Sequence, residues 1–161
     1  MDRSAERGFK LTELAALIAA AAMLSALAVP HFAPDAEDRA AAVEELGGTL
    51  RATAAMAHAI CVARDCPRSA TTIPVAGRNV VFVNTYPDAP SIRLMMSDLD
   101  GFATDATGRR FMHTDARVPQ RCWVQYNEAS VGPDGEVVPP TIEYAPAVQS
   151  AALENTSHSD C

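Results

Sequence analysis

The sequence predicts an α+β fold, one long N-terminal α-helix packed on a small antiparallel β-sheet. Three observations carry that expectation. Residues 11–29 form a dense apolar block built from the helix formers Ala, Leu and Met. From residue 33 to 66 apolar residues recur every three or four positions, at Val43, Leu46, Leu50, Ala54, Ala57 and Cys61, one stripe of an amphipathic helix. After Pro67 the helical period stops and short β-branched or aromatic runs alternate with turn signals.

Taken in order, the elements are these. Pro30 and Pro34 lack an amide N–H and predict a kink or interruption between the two helical stretches. Asp35, with Asp38 three positions on, is a candidate N-cap for the renewed helix. Gly47-Gly48 weakens that helix by about 1 kcal/mol each relative to Ala and marks a bend or a close helix–sheet contact. The helix is expected to end before Pro67, near Cys66. Residues 79–83 and 122–126 read as strands, and residues 92–96 as a strand or a short helix. Pro133-Asp134-Gly135 is a turn, with strands expected at 137–138 and 141–144.

Composition narrows the function. The chain has 161 residues and a net charge of −7, and the excess acid lies beyond the apolar block. Strong nonspecific nucleic-acid binding is not expected, because it needs cations to neutralise phosphates. Arg109, Arg110, Arg117 and Arg121 lie close in sequence but are interspersed with Asp105 and Asp115, the pattern of a solvated face. No nucleophile elbow, zinc-protease helix or phosphate loop is present, so no enzyme activity is expected. His58 and Cys61 lie one turn apart, a spacing read as incidental rather than as a thiol–imidazole pair. Asp98, Asp100 and Asp105 resemble the start of a calcium loop, but the twelfth position holds Arg109 where a bidentate Glu is needed. An ordinary acidic turn is the simpler reading, and no metal or cofactor is expected. The cysteines, Cys61, Cys66, Cys122 and Cys161, lack the paired short spacings of a zinc ribbon. Their even number beyond an apolar segment suggests disulfides in an oxidising compartment, with three connectivities open.

The apolar block is about long enough to cross a bilayer as a helix. Arg3, Arg7 and Lys10 precede it and place its N-terminal end in the cytoplasm. Glu13 is the anomaly. An ionisable side chain in such a segment costs about 2.5–3.5 kcal/mol on insertion scales and calls for a partner.

Gly8-Phe9, Glu13 at the fifth position counted from Phe9, the apolar run and then Pro30 together resemble the signature of the type IV prepilin family. The resemblance implies a leader over 1–8, an apolar polymerisation helix over 9–32 and a periplasmic or extracellular domain over 33–161. It implies that a prepilin peptidase cuts between Gly8 and Phe9 and methylates the Phe9 amine. It implies that Glu13 pairs with that amine on a neighbouring subunit, since a buried charge is tolerable only when paired. Pro30 matches the family's helix-kinking proline. The partners implied are other copies of the chain and other pilins in a filament, the peptidase, and an assembly platform in the bacterial inner membrane. The chain would sit there as a single-pass protein before joining an extracellular pilus. Lys10 and Ala22 depart from the family pattern, placing a second cation near Glu13 and removing a helix-weakening glycine.

The resemblance also supports Cys122–Cys161, a staple from the sheet to the tail, leaving Cys61–Cys66 to close a tight loop at the helix end. A narrower likeness, over Val83-Asn84-Thr85-Tyr86-Pro87 and Cys122-Trp123-Val124-Gln125-Tyr126, is to pilins of the mannose-sensitive haemagglutinin type. Two other roles remain open: a pseudopilin of a type II secretion machine, and a membrane-anchored binding protein that does not polymerise.

Overall fold

A computed structural model describes residues 35–149 and Cys161. Gly8, Phe9, Glu13 and Pro30, with the leader and the apolar segment, lie outside the described residues. Within these the chain is α+β, one long helix and antiparallel sheets.

The helix α1 spans Ala36–Ala63. Asp35 caps it, its carboxylate accepting from the amides of Glu37 and Asp38 at 3.0 and 2.9 Å. That contact satisfies two of the four orphan donors at the helix start. The stripe Val43, Leu46, Leu50, Ala54, Ala57 and Cys61 is buried along its length. Thr53 joins this buried face and sets its hydroxyl 3.7 Å from the Met96 sulfur.

α1 ends three residues earlier than the sequence suggested. Asp65 takes a left-handed φ of 50°, the Asp65 amide donates to Val62 O and the Cys66 amide to Cys61 O. This is a Schellman termination, with Asp where Gly is usual. The same turn brings Cys66 to Cys61 across a disulfide with Cα atoms 5.3 Å apart.

Three strands follow as two tight hairpins: β1 (Thr71–Val75), β2 (Arg78–Val83) and β3 (Tyr86–Pro87). They form one antiparallel sheet in that order. Each connection is two residues, Ala76-Gly77 and Asn84-Thr85, all with positive φ. Such mirror-image turns match the right-handed twist of the strands they join. Pro74 is accommodated because β1 is an edge strand and needs no ladder donor on its outer side.

The segment left open between strand and helix is a helix, α2 (Ala89–Met95), capped by Asp88 on the Ser91 amide. Its early proline, Pro90, suits a first turn, where no amide is missed. The second sheet has the order β4 (Phe102–Thr104), β5 (Arg110–His113), β6 (Trp123–Asn127), β9 (Thr141–Tyr144), all antiparallel. A small hairpin, β7 (Ser130–Val131) and β8 (Val137–Val138), projects between β6 and β9 around Pro133-Asp134-Gly135. A turn of helix, α3, covers Pro146–Gln149.

Two apolar clusters hold these parts together. The larger packs Val43, Leu46 and Leu50 of α1 against Ile92 of α2 and Phe111, Val124 and Tyr126 of the second sheet. The smaller packs Ala57 and Cys61 against Val75, Val80 and Phe82 of the first sheet. One helix thus serves both sheets, its N-terminal half the second and its C-terminal half the first. Gly47 lets this happen: a Cβ there would fall within 2.6 Å of Cε1 and Cζ of Tyr144 on β9, whereas Gly48 faces open space. Of the bend and the close contact, the structure shows the contact.

By length and composition α1 is also long and apolar enough to cross a membrane. Its buried stripe and its charged Glu37, Asp38, Glu44, Glu45 and Arg51 show it here as the core helix of the domain.

Candidate functional site

The four cysteines form two bridges. Cys122, immediately before β6, joins Cys161 with Cα atoms 4.7 Å apart, and both are fully buried. Arg39, in the first turn of α1, donates from Nε to the Cys161 carbonyl. The end of the described chain is therefore held to β6 by a covalent bond and to α1 by a hydrogen bond.

Around the hairpin of β2 and β3 the structure gathers side chains that are far apart in sequence. Tyr126, buried on β6, donates its hydroxyl to the Pro87 carbonyl at 2.8 Å. Burial, with the nearby carboxylates of Glu128 and Asp88, pushes its phenol well above the usual range. Thr85, a β-branched residue, sits at φ 69°, a conformation that costs energy and persists only where its surroundings hold it. His58 on α1 supplies that hold. Its Nδ1 lies 3.1 Å from the Thr85 carbonyl, and its ring stacks on Tyr86 at 4.1 Å and 5°. Since a carbonyl only accepts, Nδ1 carries the proton in that contact. Beside the stack opens a mostly apolar cleft of about 200 Å³, lined by Arg51, Ala54, His58, Tyr86, Pro140 and Ile142. Sequence reasoning missed this cleft. Its residues come from four distant segments, Tyr126 of β6 among them, and the only local signal was Arg51 and His58 two turns apart on one helix.

Cys61, one turn from His58, is committed to its disulfide. Among the described residues the polar contact made by the His58 ring is the one from Nδ1 to the Thr85 carbonyl.

The arginines of residues 109–121 divide. Arg109 pairs with Glu128 at 2.7 Å on the surface. Arg110 lies 4.3 Å over the Trp123 ring and donates from Nε and an Nη to the Gln125 side-chain oxygen at 3.1 and 2.9 Å. Gln125 passes the chain of bonds to Asn127 and Asn127 to Glu143, across the outward face of β5, β6 and β9. This ladder fixes the solvent face of the sheet.

Asp98 and Asp105 of the acidic segment are engaged within their own turns. Asp98 accepts from the Asp100 amide at 2.9 Å. Desolvation acts against the charged form of the Asp105 carboxyl, but the Thr107 hydroxyl and the amides of Arg110 and Arg109 outweigh it and lower its pKa. Among the described residues no group of three or more His, Cys, Asp or Glu side chains is placed to hold a metal ion.

His113, buried at the end of β5, is pressed towards neutrality. Desolvation lowers its pKa, Asp115 works the other way and Arg39 adds to the lowering. Its Nδ1 accepts from the Asp115 amide at 3.3 Å, a contact that protonation there would remove.

No protein-family model, curated protein or solved structure matches the chain.

Proposed function

We propose that this chain is a type IV pilin-like subunit, made with a leader that is cut after Gly8 and polymerised into a surface filament through residues 9–32. The observation that carries the reading is the joint spacing of Gly8-Phe9, Glu13, the apolar run and Pro30. Each residue alone is unremarkable, and together they give a cleavage point, a buried charge in need of a partner, an assembly surface and a kink. The described domain is compatible with this role. A long helix lies against antiparallel sheets, and two disulfides suit a domain exported to an oxidising compartment.

In this reading Glu13 sets the register of assembly. Within an apolar bundle its carboxylate is neutralised by the methylated amine of Phe9 on a neighbour, which makes the ion pair a condition of joining rather than a source of net stability.

The test is the intact mass of the protein in sheared surface filaments. A chain beginning at Phe9 and carrying one extra methyl is expected. Glu13→Ala should still be cut but be lost from the sheared fraction. A chain retaining residues 1–8, or filaments undiminished by Glu13→Ala, would remove the reading. A membrane-anchored binding protein that does not polymerise predicts no filaments, and it predicts that Glu13→Ala leaves localisation and function intact.

A further inference from the structure

The hairpin of β7 and β8 is an exposed knob of apolar and acidic residues. Val131 and Val138 are 55% and 44% exposed, among the few large apolar side chains left open to solvent. Asp134 and Glu136 stand at its exposed tip, and neither has a cationic partner among the described residues.

Elsewhere on the domain lies a groove of the opposite character. It runs between the C-terminal half of α1, the β1–β2 turn and the end of α2, and encloses about 460 Å³. Met56, Ile60, Val75 and Met95 make its walls, and Met56 is 58% exposed. Arg64 and Arg78 rim it. Both donate to backbone carbonyls, of Pro74 and Leu94, and among the described residues neither meets a carboxylate. Their charge is positioned but not neutralised. Methionine walls adapt readily to the shape of an apolar guest.

Knob and groove cannot meet within one molecule. The hairpin tip is held at Gly135, whose carbonyl accepts from Arg68 at 3.3 Å, just before β1 begins. The groove lies at the other end of β1, around Val75 to Arg78. A strand of that length separates the two by roughly 17 Å. Repeated head to tail, a contact between unlike patches on identical chains propagates into a ring or a filament, whereas a two-fold axis would close it in a reciprocal pair.

We propose that the β7–β8 hairpin of one copy docks in the Arg64–Arg78 groove of the next. Val131 and Val138 meet Met56, Ile60 and Met95, and Glu136 and Asp134 face the two guanidinium groups. The inference deepens the filament reading by naming a contact between the globular domains, and it rests on a polymer only for its biological setting.

The experiment uses the full chain in cells, with cysteines introduced at Met56→Cys and Val138→Cys and treated with a short bismaleimide, which leaves the native disulfides untouched. The double variant should give a ladder of cross-linked oligomers. Either single variant alone should give none, and a mixture of the two should stop at dimers. Adding Glu136→Arg, an exposed change that removes no internal contact, should cut the ladder about tenfold, the scale of one close charge pair. Arg78→Glu or Arg64→Glu should then restore it.

No ladder, a dimer from Met56→Cys alone, indifference to Glu136→Arg, or rescue by neither arginine change would each overturn the proposal. Filaments without the ladder would remove this contact and leave the filament reading standing. A ladder without filaments in the sheared fraction would do the reverse.

Discussion

At the scale of single residues, Gly47 and His113 show how position decides worth. Gly47 is costly for a helix by about 1 kcal/mol, yet it is where Tyr144 closes on α1. Gly47→Ala should therefore destabilise the domain by about 1–3 kcal/mol despite its better helix propensity, because the Tyr144 ring must move. Adding Tyr144→Ala should make the Gly47 change neutral or favourable. Denaturant unfolding of the two single variants and the double variant measures the coupling, and simple additivity would show that the contact is unimportant.

His113 gives a pH dependence with a definite sign. Its pKa is lowered in the folded state, so the unfolded chain takes up the proton first as pH falls. Stability is full above the ordinary histidine value of about 6.5 and declines as pH drops from there to the folded value. Thermal midpoints at pH 7.5 and pH 5.5 should differ, and His113→Gln should shrink that difference. An unchanged difference would mean that the loss arises at other groups.

At the scale of elements, the two disulfides do different work. The chain-entropy model assigns about 4 kcal/mol to a closed loop of the Cys122–Cys161 length and about 2 kcal/mol to one of the Cys61–Cys66 length. Cys122 and Cys161 are fully buried, whereas Cys66 is half-buried and within reach of a reductant. Mild reduction should open Cys61–Cys66 first, and paired Cys→Ser changes should lower the unfolding midpoint more at Cys122 and Cys161. Alkylation followed by mass measurement gives the order of opening. Equal sensitivity of the two bridges would contradict it.

The elements also differ in how plainly the sequence announced them. The stripe from Val43 to Cys61 was legible because one face of α1 is buried along its whole length. β6 and β9 were legible because aromatic and β-branched residues alternate in them. β1 was hidden by Pro74, which only its edge position excuses. β4 is three residues long inside an acidic segment, too short to show a period. The Asn84-Thr85 turn lacks the glycine that usually signals a two-residue hairpin, and its strained threonine is held by His58 from a distant helix.

At the scale of the whole molecule, the resemblance that motivates a filament rests on residues before Asp35, while the described domain supplies surfaces. The His58–Tyr86 cleft draws on four segments and the Met56 groove on three, so no local pattern could have revealed them. The acidic turn and the arginine run were legible as surface features, and Asp98, Asp105, Arg109 and Arg110 engage groups within a few residues or across adjacent strands.

The bond between Cys122 and Cys161 has a mechanical meaning as well. A load applied at Cys161 passes across the bridge to Cys122, just ahead of β6, and bypasses the backbone between the two cysteines. That stretch, about 130–140 Å if drawn out straight, is withheld from extension while the bridge is intact. β6, the β7–β8 hairpin and β9 all lie within the sheltered length, so tension along the chain passes from Cys122 towards β5 and α1 and leaves the knob its shape.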